Sequence, residues 1–381
     1  MAREGRDRSA SELRLQLAVD LGDGGGHFVG DDAVRQEGTV LPERSVVRST
    51  QLKKNPTKHR QRADCQGRIV GVASAVWLVE ESSSYHAAND EPFRATHQCT
   101  AGGVVSSDNP PEESLLAVGD WVDFATIPGE EGKGVIVHVR QRQNRLFRLS
   151  PSSREVDILA ANVDRAFLVH AVRQPYFSRR LLDRHVVACE QGQVEPVIVI
   201  NKVDLGVPPE LAAALCYYHE RLGVRLCYTS TITGEGLGEL MALMHGCTSV
   251  LVGASGVGKS AILNACFGQP IQAVREISSK YQRGRHTTTN ARLFHLPGGG
   301  KLIDTPGLRE FALAQIAPEE LAFYFHDFDP FYPQCKYLPC THTHEPDCAV
   351  RAAVAAGHIQ TERYDSYVRM LESLTYHSEE R

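Results

Sequence analysis

Two short strings in this chain have residue types and spacing suited to nucleotide chemistry. In Gly253-Ala254-Ser255-Gly256-Val257-Gly258-Lys259-Ser260, three glycines precede a lysine and a hydroxyl. Glycines let backbone N–H groups turn inward around phosphate oxygens, and a helix beginning there adds the partial positive charge of its first turn. In such a loop Lys259 reaches the β- and γ-phosphates, Ser260 binds Mg²⁺ and Ala261 continues the helix behind them. A glycine-rich strand-to-helix turn without a ligand is the plainer alternative. The second string is Asn201-Lys202-Val203-Asp204. A carboxylate at Asp204 can accept from both N1–H and the 2-amino group of guanine; adenine offers neither donor and would leave the acid unpaired. Together the strings point to GTP or GDP with Mg²⁺. A GTPase domain normally carries its phosphate loop first and N-K-x-D last, so the inverted order here implies a circularly permuted domain.

The elements around these strings are those the chemistry requires. Thr248 to Val252 is a β-branched and aliphatic run that predicts a strand, and Lys259 to Ala265 can begin a helix, so the loop lies between strand and helix. Val194 to Ile200 predicts a buried strand, which puts Asn201 and Asp204 at a strand's carboxyl end, where α/β sheets bind ligands. Lys301 to Gly307 ends a further strand in D-T-P-G, where Asp304 would hold Mg²⁺ through water and the Gly307 N–H would sense the γ-phosphate. A bare D-x-x-G means little, and this one draws its value from its place after the phosphate loop. Thr229-Ser230-Thr231 is a candidate second guanine-contact loop, with Ser230 at its centre; a plain strand-end turn reads equally well. Gly284 to Asn290 is a polar switch-like stretch in which one of Thr287, Thr288 and Thr289 completes the Mg²⁺ shell, Thr288 being carried forward as the candidate. Leu308 follows D-T-P-G where a Ras-like enzyme keeps its water-orienting glutamine, so another group must act, and His286 is the nearest with a suitable nitrogen. An exposed histidine without a catalytic role is the alternative there.

A separate cluster, Cys335-Lys-Tyr-Leu-Pro-Cys340-Thr-His342-Thr-His344-Glu-Pro-Asp-Cys348, gathers three thiols and two imidazoles in a short Pro-containing stretch. Three cysteines and one histidine form a closed tetrahedral zinc set, which is structural because four protein ligands leave no open position. Spacing alone leaves His342 and His344 both available. Helical patterns follow at Ala349 to Ala356 and Thr361 to Leu374. Because D-T-P-G leads directly into this region, nucleotide state could reposition a zinc-stapled module. The other cysteines, Cys65, Cys99, Cys189, Cys216, Cys227, Cys247 and Cys266, lack motif spacing and read as reduced, mostly buried thiols.

Upstream of the nucleotide motifs the pattern is β. Arg68 to Ser74, Ala75 to Val79, Phe93 to His97, Asp120 to Thr126 and Gly134 to Val139 predict five short strands, enough for a small Greek-key barrel. Arg140, Arg142, Arg145 and Arg148 form either a basic edge for nucleic acid or an ordinary solvated strand edge. Residues 1–62 contain a Gly24 to Gly26 run, few aromatics and mixed charge, and read as a disordered extension ending in a basic arm of Lys53, Lys54, Lys58, Arg60 and Arg62. The expected division is 1–62 extension, 63–149 barrel, 150–313 permuted GTPase domain and 314–381 zinc-bearing helical domain. At 381 residues, 42% hydrophobic and 23% charged, the chain can bury more than one core. No apolar run approaches a membrane span and no secretion signal opens the chain, so no membrane partner and a cytoplasmic location are expected. With a net charge of −5, RNA binding would depend on local patches. Nothing demands more than a monomer.

The order N-K-x-D, T-S-T, phosphate loop, threonine switch and D-T-P-G resembles the RsgA/YjeQ-type circularly permuted GTPases of small-subunit ribosome assembly, from about Gly67 to about Thr375. The strings that carry the resemblance are Ala160-Ala-Asn-Val-Asp164, Asn201 to Asp204, Gly253 to Ser260, His286-Thr-Thr-Thr289 and the cysteine cluster. The resemblance implies an OB-fold barrel and a slow GTPase that docks on the 30S subunit and its 16S rRNA, is stimulated there, and acts late in maturation beside other assembly factors. It also implies that His286 takes the missing glutamine's role and that C-x₄-C-x-H-x₅-C selects His342. Relatives often carry an R-G-K-x-R-like loop after the third barrel strand, whereas this chain has Cys99 to Ser114, without those cations. Two rival readings are a non-catalytic RNA- or protein-binding module that holds GTP as a structural ligand, and a P-loop ATPase or small-molecule kinase.

Overall fold

The computed structural model describes residues 63–73, 76–82, 95–149, 156–270, 291–305 and 316–379. The N-terminal extension with its basic arm, the switch residues His286, Thr287, Thr288 and Thr289, and Gly307 and Leu308 lie outside the described residues.

Five strands form the barrel: β1 (Cys65–Ala73), β2 (Val76–Glu81), β3 (Thr96–Ser107), β4 (Trp121–Thr126) and β5 (Lys133–Val139). They are ordered β1-β2-β3-β5-β4, with β4 returning to β1 and β3 parallel to β5. Alternation drives closure: Val122 and Phe124 of β4 point inward with Ile69, Val79, Cys99, Ile136 and Val139, all fully buried, while Trp121 keeps an outward position. The third strand differs from expectation. It begins at Thr96 and runs through the Gly102-Gly103 pair to Ser107, so the first part of the stretch expected as a loop is strand. The glycines sit where the pairing with β5 shifts register, between Ala101 and Ser106, and the neighbouring strands supply the order that local sequence does not.

A hairpin of β6 (Arg145–Leu149) and β7 (Val156–Ala161) leads into the second sheet. That sheet contains β8 (Arg165–Ala171), β9 (Glu195–Asn201), β10 (Arg225–Thr229), β11 (Thr248–Val252), β12 (Arg292–His295) and β13 (Lys301–Asp304), ordered β10-β9-β8-β11-β13-β12. The first five in that order pair in parallel, and β12 runs antiparallel to β13 and joins the barrel by pairing Arg292 with Gly71 of β1. Parallel strands are covered on both faces, which explains why Phe167, Val169 and Ala171 of β8 enter one core and Ala166 and Leu168 another. The covering helices are α1 (Arg179–Gly192), α2 (Pro209–Glu220), α3 (Leu237–Met244) and α4 (Lys259–Phe267). C-terminal to them come 3-10 turns at Pro318–Tyr324 and Tyr332–Gln334, then α5 (Ala349–Ala355) and α6 (Thr361–Glu379), which packs on α1.

The barrel is tied to the strand feeding the phosphate loop. Buried Arg68 donates to the Gly119 carbonyl at 3.1 Å, Thr248 Oγ1 at 2.9 Å and the Asn162 carbonyl at 2.7 Å. Thr248 N in turn donates to Asp164 Oδ2 at 2.6 Å. The A-A-N-V-D string therefore acts as the joint between barrel and β11.

Candidate functional site

The two nucleotide strings, inverted along the chain, meet in space. Asn201 ends β9 fully buried, and its Nδ2 donates to the Val257 carbonyl at 2.9 Å. Its Oδ1 accepts from Thr229 Oγ1 at 3.2 Å. Lys202 Nζ donates to the Gly256 carbonyl at 2.7 Å and to the carbonyl of Gln174. Glycine is required where the strings touch: at Gly258, φ is +104° and a Cβ would lie 2.2 Å from Asn201 Nδ2. At Gly253 a Cβ would lie 2.1 Å from the Val169 carbonyl oxygen.

Phosphate-loop geometry suits an anion. Gly253 is buried, Ala254 and Gly258 are half-buried, and Ser255, Gly256, Ser260 and Ala261 are exposed, with Val257 anchored in the core. Gly258 caps α4 without a side-chain hydrogen bond, and a helix N-terminus of this kind suits an anion. Lys259 Nζ folds back to the Gly253 and Ala254 carbonyls at 2.6 and 2.7 Å. Asp304 ends β13 just past Ile303, which pairs with Val250, and thus lies beside the end of the strand that enters the loop. On the other side Asp204 is exposed, and Ser230 Oγ donates to its Oδ1 at 2.6 Å. Backbone N–H groups of Ile232 and Thr233 donate to that hydroxyl at 3.2 Å each, which fixes the rotamer of the otherwise buried Ser230. Thr229, from the Thr229-Ser230-Thr231 string, joins this assembly through Asn201, while Gln174 belongs to it without any motif signature.

In the C-terminal region the ligand atoms of Cys335, Cys340, His342 and Cys348 lie within 4.8 Å of one another, all four side chains buried. Cys335 Sγ is 3.6 Å from His342 Nδ1 and 3.9 Å from Cys348 Sγ, and His342 Nδ1 is 3.4 Å from Cys348 Sγ. Tetrahedral zinc, with Zn–S about 2.3 Å and Zn–N about 2.0 Å, requires S···S near ~3.8 Å and S···N near ~3.5 Å, so the donor set fits the ion. The geometry selects Nδ1 as the imidazole donor. His344 is exposed and outside the cluster, beside Thr343 Oγ1 at 3.0 Å. Burial pushes the Cys340 thiol up to about 12 and lowers His342 to about 4. A neutral imidazole is ready to bind a metal, and a dication would reverse the cost of forming thiolates there. Rings of Phe328, Tyr332 and Tyr367 surround His342, while Tyr364 and Tyr367 hydroxyls donate to the His342 and Thr341 carbonyls at 2.6 and 2.8 Å.

A family model described as RsgA GTPase matches residues 139–314. The small ribosomal subunit biogenesis GTPase RsgA of Chlorobaculum parvum is 41% identical over 268 residues, covering 68% of this chain and 86% of that protein. The chain belongs to the RsgA GTPase family. Among solved structures, YjeQ from Thermotoga maritima matches with a TM-score of 0.61 at 31% identity, covering 82% of this chain and 98% of that one. YloQ, described as a circularly permuted GTPase, matches with a TM-score of 0.61 at 27% identity, covering 85% of this chain and 99% of that one.

In this RsgA-family chain the barrel-edge arginines are not a free basic edge. Arg142 is buried and paired with Asp120 and Glu113 at 2.8 Å each; Arg145 also meets Glu113, Arg140 meets Asp123 at 2.9 Å, and Arg148 meets Asp157 at 3.5 Å. Arg140, Arg145 and Arg148 stay part-exposed beside their carboxylates, whereas buried Arg142 holds the 108–120 connection against the barrel.

Two buried histidines lie behind the phosphate loop. His170 on β8 and His185 on α1 have ring centroids 5.8 Å apart. Burial lowers His170 to about 4, and burial, aided by His170, Arg184 and Lys259, lowers His185 to about 3. Unfolded, each titrates near ~6.5, so the unfolded chain binds protons first as pH falls. Stability should be insensitive to this pair above about pH 6.5 and fall as pH drops toward 4, by about 3 kcal/mol from His170 alone. Urea midpoints at pH 7.5 and 5 should converge in His170→Leu relative to wild type; an unchanged pH slope would contradict the burial argument.

Proposed function

We propose that this chain binds GTP and GDP with Mg²⁺ at the joined strings, hydrolyses GTP, and couples the cycle to docking on and release from the 30S subunit and its 16S rRNA during late maturation. The observation that carries the reading is the Asn201 to Val257 and Lys202 to Gly256 contact pair, which makes a single site of two strings in inverted order. Asn201 and Lys202 hold the phosphate loop, Asp204 oriented by Ser230 reads guanine, and residues 253–261 with the α4 N-terminus bind the phosphates. Ser260, Asp304 and one switch threonine, Thr288 among them, serve Mg²⁺, and Gly307 senses the γ-phosphate. His286 orients the attacking water in place of the residue that Leu308 cannot supply. Cys335, Cys340, His342 and Cys348 hold one structural Zn²⁺, the chain acts as a cytoplasmic monomer, and the parts divide near residues 63, 150 and 314.

Phosphate release should be slow for the free protein and accelerate with purified 30S subunits, because chemistry here depends on positioning rather than on a resident glutamine. Lys259→Ala should lower turnover by about a hundredfold or more. His286→Ala should lower turnover while nucleotide affinity persists. If neither 30S subunits nor any condition elicits phosphate release, the structural-ligand reading replaces this one.

A further inference from the structure

The buried contact between α6 and α1 stands at one end of a run of contacts whose other end is the phosphate loop. Arg363 of α6 is 1% exposed. Its guanidinium donates to Asp183 Oδ1 on α1 at 2.6 Å and to Asp327 Oδ1 at 3.4 Å, and lies 4.1 Å over the Phe325 ring. Tyr218 of α2 donates to the same Asp183 oxygen, and Tyr217 donates to Asp327 Oδ2 at 3.0 Å. Arg179, the first residue of α1, donates to Gln360, and His326 lies 3.5 Å from Glu190 near that helix's far end. The C-terminal region thus grips α1 along its length.

α1 begins after Ser178, whose hydroxyl accepts from Leu181 N, and Asp183 lies only about 7.5 Å of helical rise beyond that cap. The residues just before the cap abut the phosphate loop: Pro175 Cδ would be 3.7 Å from a Cβ on Gly256. The Gln174 carbonyl shares the Lys202 ammonium with the Gly256 carbonyl, and Phe177 packs against His170 at 5.4 Å between ring centroids. A short rigid helix joins these ends, so displacement at Asp183 carries to Gln174.

We infer that Arg363 is a positioning residue for the nucleotide: by fixing α1 it sets the Gln174 to Phe177 loop that holds Lys202 on Gly256, so load on the C-terminal region changes how fast nucleotide leaves. The inference rests on the nucleotide assignment above. It adds a route through α1 beside the expected repositioning of the zinc-stapled module by the switch. The buried guanidinium is what makes the grip directional, because its fork engages two carboxylates from different segments.

The test is release of a fluorescent GDP analogue from the full-length chain without ribosomes. Arg363→Met should speed release about tenfold, with Arg363→Lys, which keeps the buried charge but loses the fork, in between. Adding Asp183→Asn to Arg363→Met should change the rate far less than Asp183→Asn does in the wild type, the non-additivity expected of a shared contact. Met370→Ala, which truncates the buried face of α6 outside the network, should lower Tm but leave release within about twofold of wild type. If Arg363→Met proves too unstable to purify, Arg363→Lys against Met370→Ala decides the matter. Release unchanged in the Arg363 variants, or changed equally by Met370→Ala, would overturn the coupling alone. A wild-type chain that binds no GDP would overturn the nucleotide assignment and this inference with it.

Discussion

Asp204→Asn should weaken GTP binding by about a thousandfold and let the protein accept XTP. Ser230 Oγ donates to Asp204 Oδ1 at 2.6 Å, and that hydroxyl is itself held by two backbone N–H groups. The carboxylate is therefore pre-aimed, and on the exposed side of the site it is open to the base. Guanine presents two donors there, N1–H and the 2-amino group, so an amide in place of the carboxylate sets N–H against N–H. Two charge-assisted hydrogen bonds at about 1.5–3 kcal/mol each account for the expected loss. Xanthine carries a carbonyl at C2, which would accept from the side-chain amide that Asp204→Asn introduces, so preference should invert rather than merely fade. Competition of GTP, XTP and ATP against a fluorescent guanine nucleotide reads this directly. A variant that still prefers GTP over XTP would remove Asp204 from the base-reading role, and ATP competing well with the wild type would favour the P-loop ATPase or kinase reading.

What the sequence made legible here is chemistry that is contiguous along the chain. Gly253 to Ser260 must be adjacent to wrap a phosphate, and the strand before it is visible as a β-branched run, so loop, strand and helix all fall where expected. Asn201 to Asp204 and the Cys335 to Cys348 cluster were legible for the same reason. Spacing alone could not choose between His342 and His344, because both reach the neighbourhood; the buried ring with Nδ1 toward the thiols separates them. Contacts set by topology were invisible. Arg142 read as a surface cation because nothing local reveals that Asp120 and Glu113 fold over it. Arg363 and Asp183 are 180 positions apart, and no periodicity joins a C-terminal helix to the helix after β8. β3 was misplaced because Gly102 and Gly103 carry a turn signature that β5, pairing in parallel from far along the chain, overrides.

Cys340→Ala, or removal of bound metal with a strong chelator, should unfold the C-terminal region while the barrel and nucleotide core keep their structure. Between Cys335 and Cys348 the chain forms no helix or strand, and its order comes from the clustered ligands and the rings around His342. Structural zinc contributes about 10–16 kcal/mol of apparent binding free energy at neutral pH, comparable to or larger than the whole stability of a typical domain. Without a cation the thiols revert to neutral, as the upward shift of Cys340 indicates, and the tyrosine hydroxyls lose the fixed carbonyls of Thr341 and His342 that they now engage. Loss of that order reaches α6 through Tyr364 and Tyr367, and α6 carries Arg363, so Asp183 would lose its ion-pair partner and keep only the Tyr218 hydroxyl on a newly exposed face of α1. The core should therefore survive but lose stability of its own, because the apolar face of α1 that α6 covers would meet water. Limited proteolysis should release fragments ending near residue 316, metal analysis should show one zinc per chain in wild type and none in Cys340→Ala, and His344→Ala should match wild type in both. A Cys340→Ala protein that holds a full equivalent of zinc and resists protease as wild type does would dismiss the zinc assignment. Unfolding of the entire chain in one step would instead show that the grip of α6 on α1 outweighs the independence of the nucleotide core.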